Sequence, residues 1–154
     1  MFTEVSPSVR LPFGLGVVGL LPFIIATAGV YIAPVLWQAL AIKAFLFYSA
    51  LSLTFLGGVH WGVAMSHDRE SGPAFATRLW VSLMPGLVGW AALMIEYRLA
   101  TLVLMIGFWL LRFYERTDAS LARLPSWYQG LRGLLSPVVV ACHLAVVVRL
   151  SLLG

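Results

Sequence analysis

A chain of 154 residues with 61% hydrophobic and only 10% charged side chains lies far outside soluble composition, so lipid must cover what a core cannot. Nine of its ten basic residues are arginine and the net charge is +4. In a membrane chain this excess reports topology, and nucleic acid is set aside as a partner. A single cysteine, Cys142, excludes an intramolecular disulfide and any cysteine cluster for zinc or iron–sulfur.

The length accommodates about five spans of ~20 residues. The apolar run 11–33 is the first, ending in Tyr31 and Pro34 with Trp37 beyond, an interfacial aromatic pattern. It exceeds the ~7–15 residues of a signal-peptide core, and Arg10 is offset by Glu4, so it reads as an uncleaved span. Gly14-Leu15-Gly16-Val17-Val18-Gly19 matches the dinucleotide fingerprint, but a membrane span offers neither the preceding strand nor the acidic ribose ligand. Gly16 and Gly19 are read as helix-packing positions, and Pro22 as a kink.

The second span, 43–65, runs from Lys43 to the polar His67-Asp68-Arg69-Glu70. Gly58 and Gly62 form a small-xxx-small pair expected to admit a neighbouring helix. Ser71-Gly72-Pro73 reads as a helix start. The third span, 75–97, follows with a kink at Pro85, and Glu96-Tyr97-Arg98 is a short turn into an antiparallel fourth span, 99–114. From Glu115 to Leu124 a polar loop with Leu121 and Leu124 on one side should lie along the membrane surface. Ser126 and Gln129 have capping-box spacing, so a last helix starts near Trp127, spans the membrane over 130–153 and kinks at Pro137.

The expected fold is therefore all-α, a polytopic bundle of five transmembrane helices in one domain. Arg10, Arg69, Arg78, Arg112, Arg116, Arg123 and Arg132 fall on one side, against Lys43, Arg98 and Arg149 on the other. The N-terminus is accordingly expected in the cytoplasm and the C-terminus in the periplasm. No acid-poor, arginine-rich presequence precedes the first span, so a bacterial inner membrane is the simplest address.

His60 is the leading candidate for chemistry, since a polar side chain inside a span is retained for a partner, a ligand or a proton. Trp61 beside it reads as packing or an interfacial anchor in preference to a stacking platform. A bis-histidine haem held by His60 and His143 is disfavoured: His60 lies about five residues, ~7 Å, from its span end, and His143 about 16 Å beyond Arg132. Lys43, Glu96, Arg98 and Arg149 form a second group at the opposite face, where Glu96 is either neutralised by a basic neighbour or turned into the bundle as a proton site. No metal-ligand spacing and no nucleophile with its base are present, so catalysis has little support.

Two segments carry a resemblance: Gly16-Val17-Val18-Gly19-Leu20-Leu21-Pro22-Phe23, and Phe55-Leu56-Gly57-Gly58-Val59-His60-Trp61-Gly62. Ser82-Leu83-Met84-Pro85, Trp127-Tyr128 and Leu131-Arg132 match less specifically. With these the chain resembles a five-helix membrane family classed as a domain of unknown function, which includes mitochondrial transmembrane protein 69. The resemblance implies an inner or energy-transducing membrane and supplies no catalytic role. The expected function is a non-catalytic accessory, assembly or lipophilic-ligand subunit with a pocket near His60, quinone or haem being the first ligands to consider and other membrane subunits the partners. The alternative is a small proton-coupled transporter or channel using His60 and Glu96.

Overall fold

The computed structural model describes residues 7–68, 70 and 72–154. Arg69, Ser71 and the leader with Glu4, which entered the topology and helix-start expectations, lie outside the described residues. Six helices follow in order: α1 Pro7–Ile32, α2 Val35–His67, α3 Pro73–Ala92, α4 Tyr97–Glu115, the single turn α5 Asp118–Leu121, and α6 Ser126–Leu153. Four of them, α1, α2, α4 and α6, are long and apolar enough to cross a membrane. The 20-residue α3 is less apolar and turns Arg78, Ser82 and Pro85 inward.

From α1 to α4 each helix packs on the next, α4 packs on α6 and α6 returns to α1, so these helices close a ring α1–α2–α3–α4–α6 with α2 and α4 also touching across it. Phe23, Phe45, Leu53, Leu104, Phe108 and Val146 fill the centre. Phe23 meets Phe45 edge-on at 5.7 Å and Phe108 at 6.1 Å between ring centroids, the offset geometry that aromatic quadrupoles favour. Leu11, Ile25, Leu36, Phe55, Trp80 and Phe113 are instead exposed on the outside. This inversion of soluble patterning is the surface a bilayer requires.

Several boundaries differ from expectation. The second span is the inner part of a 33-residue helix beginning at Val35, which at ~1.5 Å per residue is about 50 Å long. Lys43 is an exposed residue within that helix and does not mark its start, because a charge marks the depth at which water or headgroups begin, not where backbone hydrogen bonding stops. The third helix ends at Ala92, and the turn into α4 occupies residues 93–96. The fourth helix continues one residue further than expected, to Glu115. In the connection to α6, Leu124 is buried while Leu121 is half exposed, so they do not share a face. Ser126 is already helical behind Pro125, and no capping box forms. The helices are continuous across Pro22, Pro85 and Pro137, each of which removes one backbone bond without ending its helix.

Glycine placement decides how closely α2 and α3 approach. A Cβ on Gly57 would stand 2.6 Å from the Ser82 carbonyl oxygen and 3.1 Å from Pro85, and one on Gly89 would stand 3.3 Å from the Ala50 carbonyl oxygen. Gly58 and Gly62, expected at the seam, have nothing within 4 Å in that direction. The reason is angular: one residue along a helix rotates the side chain by about 100°, which carries Gly58 away from the contact that Gly57 makes. A Cβ on Gly16 would stand 2.8 Å from Leu131 Cδ1, and one on Gly19 would stand 3.8 Å from the Tyr48 hydroxyl.

Candidate functional site: a buried ionic cluster beside an apolar groove

Glu115 is the last residue of α4 and is completely buried. In low dielectric a carboxylate must gather donors. Tyr128 Oη donates to its Oε1 at 3.0 Å and Arg132 Nε to its Oε2 at 2.8 Å. The two donors are four residues apart on α6, hence stacked on one face. Arg112, three residues before Glu115 on α4, places NH1 3.6 Å from Oε2. Gln129 links the two helices: it accepts from Arg112 NH1 at 2.8 Å and donates to the Glu115 carbonyl at 2.9 Å. That carbonyl is among the last four of α4, which have no partner within their own helix.

His60 reaches this cluster from α2. It is fully buried, with Nε2 3.5 Å from Glu115 Oε1 and its ring edge-on to Tyr114 at 5.2 Å. Neither ring nitrogen makes a full hydrogen bond, so His60 is held by packing and by the field of Glu115. A second ionic knot flanks the first. Arg78 of α3, 1% exposed, donates Nε to Asp68 at 2.7 Å and NH2 to the Ala119 carbonyl at 3.1 Å. Its guanidinium lies 6.0 Å from the centre of the Tyr114 ring, and Arg123 approaches Asp68 at 3.6 Å. The ends of α2 and α4 and the starts of α3 and α6 are thus tied together at one end of the bundle.

His143 lies elsewhere. Its Nδ1 is 2.8 Å from the Val139 carbonyl, which only accepts, so Nδ1 carries the proton and Nε2 accepts from the Ser49 hydroxyl at 2.6 Å. Phe23, Phe45 and Phe108 surround the ring. Ser49 is eleven residues before His60 on α2, ~16 Å along the axis. The two histidines therefore stand at different levels, and both His143 nitrogens are occupied within the protein.

The remaining candidates separate as well. Trp61 faces outward, 46% exposed, one residue round the helix from His60. Glu96 is exposed and caps α4, accepting from the backbone N–H of Arg98 at 2.9 Å and of Leu99 at 3.1 Å. It stands at the far end of the 19-residue α4 from Glu115, about 28 Å away, so the structure does not unite it with His60. Nor does it join Arg149, whose guanidinium lies 5.7 Å from the Tyr31 ring. The N–H groups of Arg98 and then Leu99 hold the Glu96 carboxyl below its ordinary value of 4.5. A depressed carboxylate stabilises the fold above that ordinary value and loses its contribution as pH falls below it. Glu96→Gln is expected to flatten the acid limb of a melting-temperature profile between roughly pH 5 and 3; parallel losses in wild type and variant would count against the cap.

The hub that sequence reading missed is Glu115, taken as the start of a surface loop. The signal was present as spacing: Arg112 with Glu115 and Tyr128 with Arg132 are (i, i+3) and (i, i+4) polar pairs on two helices joined by a short connection. An apolar groove of about 720 Å³ runs beside this cluster between α1, α2 and α6. Trp127, Tyr128 and Arg132 line one end and Phe23, Phe108 and Val139 the other, with Gly19 and Tyr48 on its walls. Tyr48 Oη donates to the Gly19 carbonyl at 2.7 Å. His60 does not line it; Glu115, through Tyr128 and Arg132, connects the two.

Residues 8–148 match the family described as protein of unknown function (DUF3429). The chain is also 32% identical over 133 residues to Transmembrane protein 69 of Xenopus tropicalis, a match that covers 82% of this chain and 49% of that protein. It thus spans about half the length of that relative. No solved structure matches. The sequence match across nearly the whole bundle and the apolar exterior of its helices agree that this is a helical membrane protein belonging to the DUF3429 family.

Proposed function

We propose that this protein is a five-span inner-membrane subunit of a bacterium that holds a lipophilic molecule in the groove between α1, α2 and α6. α3 is the fifth span: it is 20 residues long and lies between α2 and α4, within the ~17–25 residues that a bilayer needs. Arg78, Arg112, Arg123 and Arg132 mark the cytoplasmic end, and the C-terminus is periplasmic. The role is accessory or in assembly, with binding in place of turnover, and neighbouring membrane subunits are the expected partners.

The observation that carries this reading is the groove itself. Its volume of about 720 Å³ falls inside the ~300–1,000 Å³ range of ligand sites, and its walls are apolar with a few polar groups at one end, the usual form of such sites. Quinone and haem, the first ligands considered from sequence, would be recognised by Tyr128 and Arg132 and not by His60. A transport role would have to move from His60 and Glu96 to the His60–Glu115 pair.

The test is extraction. Protein purified in mild detergent is stripped with organic solvent, and the extract is read by mass spectrometry and absorption. Wild type is expected to carry one lipophilic species in near-stoichiometric amount. Gly19→Leu, which fills the groove from a position with room for a side chain, should lose it severalfold. Identical extracts from the two proteins would refute the groove as a site.

A further inference from the structure

We infer that the occupant of the groove is a single phospholipid bearing a net negative head, seated with its phosphate at Arg132 and one acyl chain laid along α6. This rests on the groove being a ligand site, as proposed above, and names the class of ligand.

Charge is the first argument. The cluster at the groove's end contains Arg112 and Arg132 against one carboxylate, Glu115, so the two arginines leave one positive charge uncompensated. Arg132 is only 4% exposed and shares its one carboxylate with Arg112, so a second anion beside it would balance the pair. Its donors are the second argument. Among the described residues, Nε alone of its guanidinium nitrogens has a hydrogen-bond partner, Glu115, and NH2 is buried without one. Buried donors left open in this way call for an acceptor from outside the chain. A phosphate accepts from a guanidinium fork with two oxygens, whereas a quinone presents one neutral carbonyl and leaves the charge unbalanced.

Length is the third argument. Below Arg132, where the phosphate sits, the groove follows α6 to Val139 for seven residues, ~10 Å. That stretch takes the upper part of an acyl chain that enters one leaflet of a ~30 Å hydrocarbon core. Trp127 at the mouth is the residue type that settles at headgroup level, and Phe23, Phe108 and Val139 line the inner end.

The experiment is native mass spectrometry of the full chain in mild detergent, delipidated and then supplied with equimolar phosphatidylglycerol and phosphatidylcholine of identical acyl chains, with ubiquinone as a third competitor. Wild type is expected to retain phosphatidylglycerol over the other two by about tenfold, the worth of one charge-assisted hydrogen bond. Arg132→Gln should bring the ratio close to one, and Arg132→Lys, which keeps the charge and loses the fork, should fall between that and wild type. Arg112→Gln, which removes the excess charge but leaves Arg132 in place, should also lower the ratio, and it serves if Arg132→Gln does not fold. Gly19→Leu should displace all three compounds while circular dichroism stays unchanged. Equal retention of the neutral and anionic lipids, or preferential ubiquinone binding abolished by Gly19→Leu, would overturn the anionic head while leaving the groove a site. Retention unaffected by Gly19→Leu would overturn both.

Discussion

Glu115→Ala is expected to be among the most damaging single substitutions in this protein, costing about 3–5 kcal/mol. The carboxylate is fully buried and receives Tyr128, Arg132 and, at longer range, Arg112 and His60. Removing it leaves Arg132, only 4% exposed, without its counter-ion, and the penalty is that of an unpaired buried charge more than of a lost contact. The double variant Glu115→Gln with Arg132→Gln should therefore be less destabilised than the sum of its single variants, with a coupling of about 1–3 kcal/mol. Unfolding in mixed dodecyl maltoside and dodecyl sulfate micelles, followed by circular dichroism, reads both quantities. A Glu115→Ala protein within about 1 kcal/mol of wild type would show that Glu115 does not anchor the cluster.

Gly57→Ala should cost about 2–3 kcal/mol, although alanine is the better helix former. The added methyl would stand 2.6 Å from the Ser82 carbonyl oxygen. That atom belongs to the backbone of α3, so relief requires moving a helix, not turning a side chain. Gly58→Ala and Gly62→Ala add the same methyl into open space and are expected to leave stability unchanged or raise it by up to ~1 kcal/mol through helix propensity alone. The same micelle unfolding compares the three. If Gly57→Ala matched Gly58→Ala, the close α2–α3 seam would be refuted.

These two results separate what periodicity encodes from what packing encodes. Membrane class, the all-helical fold and most helix cores were legible, because twenty-odd apolar residues in succession have few alternatives to a lipid-facing helix. The burial of His60 inside an apolar helix was legible for the same reason, a polar group being conspicuous among Leu, Val and Gly. Glu115 was not. Placed between Tyr114 and Arg116 at a helix end, it has the local appearance of a solvated residue; only the return of α6 brings Tyr128 and Arg132 over it.

Helix faces were decided in the same way. Sequence spacing marks Gly58 and Gly62 as a pair, but whether a neighbour stands opposite that pair depends on the rotation of α2 about its axis, which its contacts with α1, α3 and α4 set together. His60 and His143 illustrate depth: the chain states how far each is from its own helix end, while the offset between helices that places His143 against Ser49 comes from side-chain interlocking around Phe23, Phe45 and Phe108. Local sequence thus determines which segments must be helical and buried in lipid, since that follows from transfer free energies summed along one segment. Which polar side chains meet, and where a groove is left open between α1, α2 and α6, follows from the mutual rotation and offset of whole helices. Those are set by contacts between residues far apart in the chain, which no window of sequence contains.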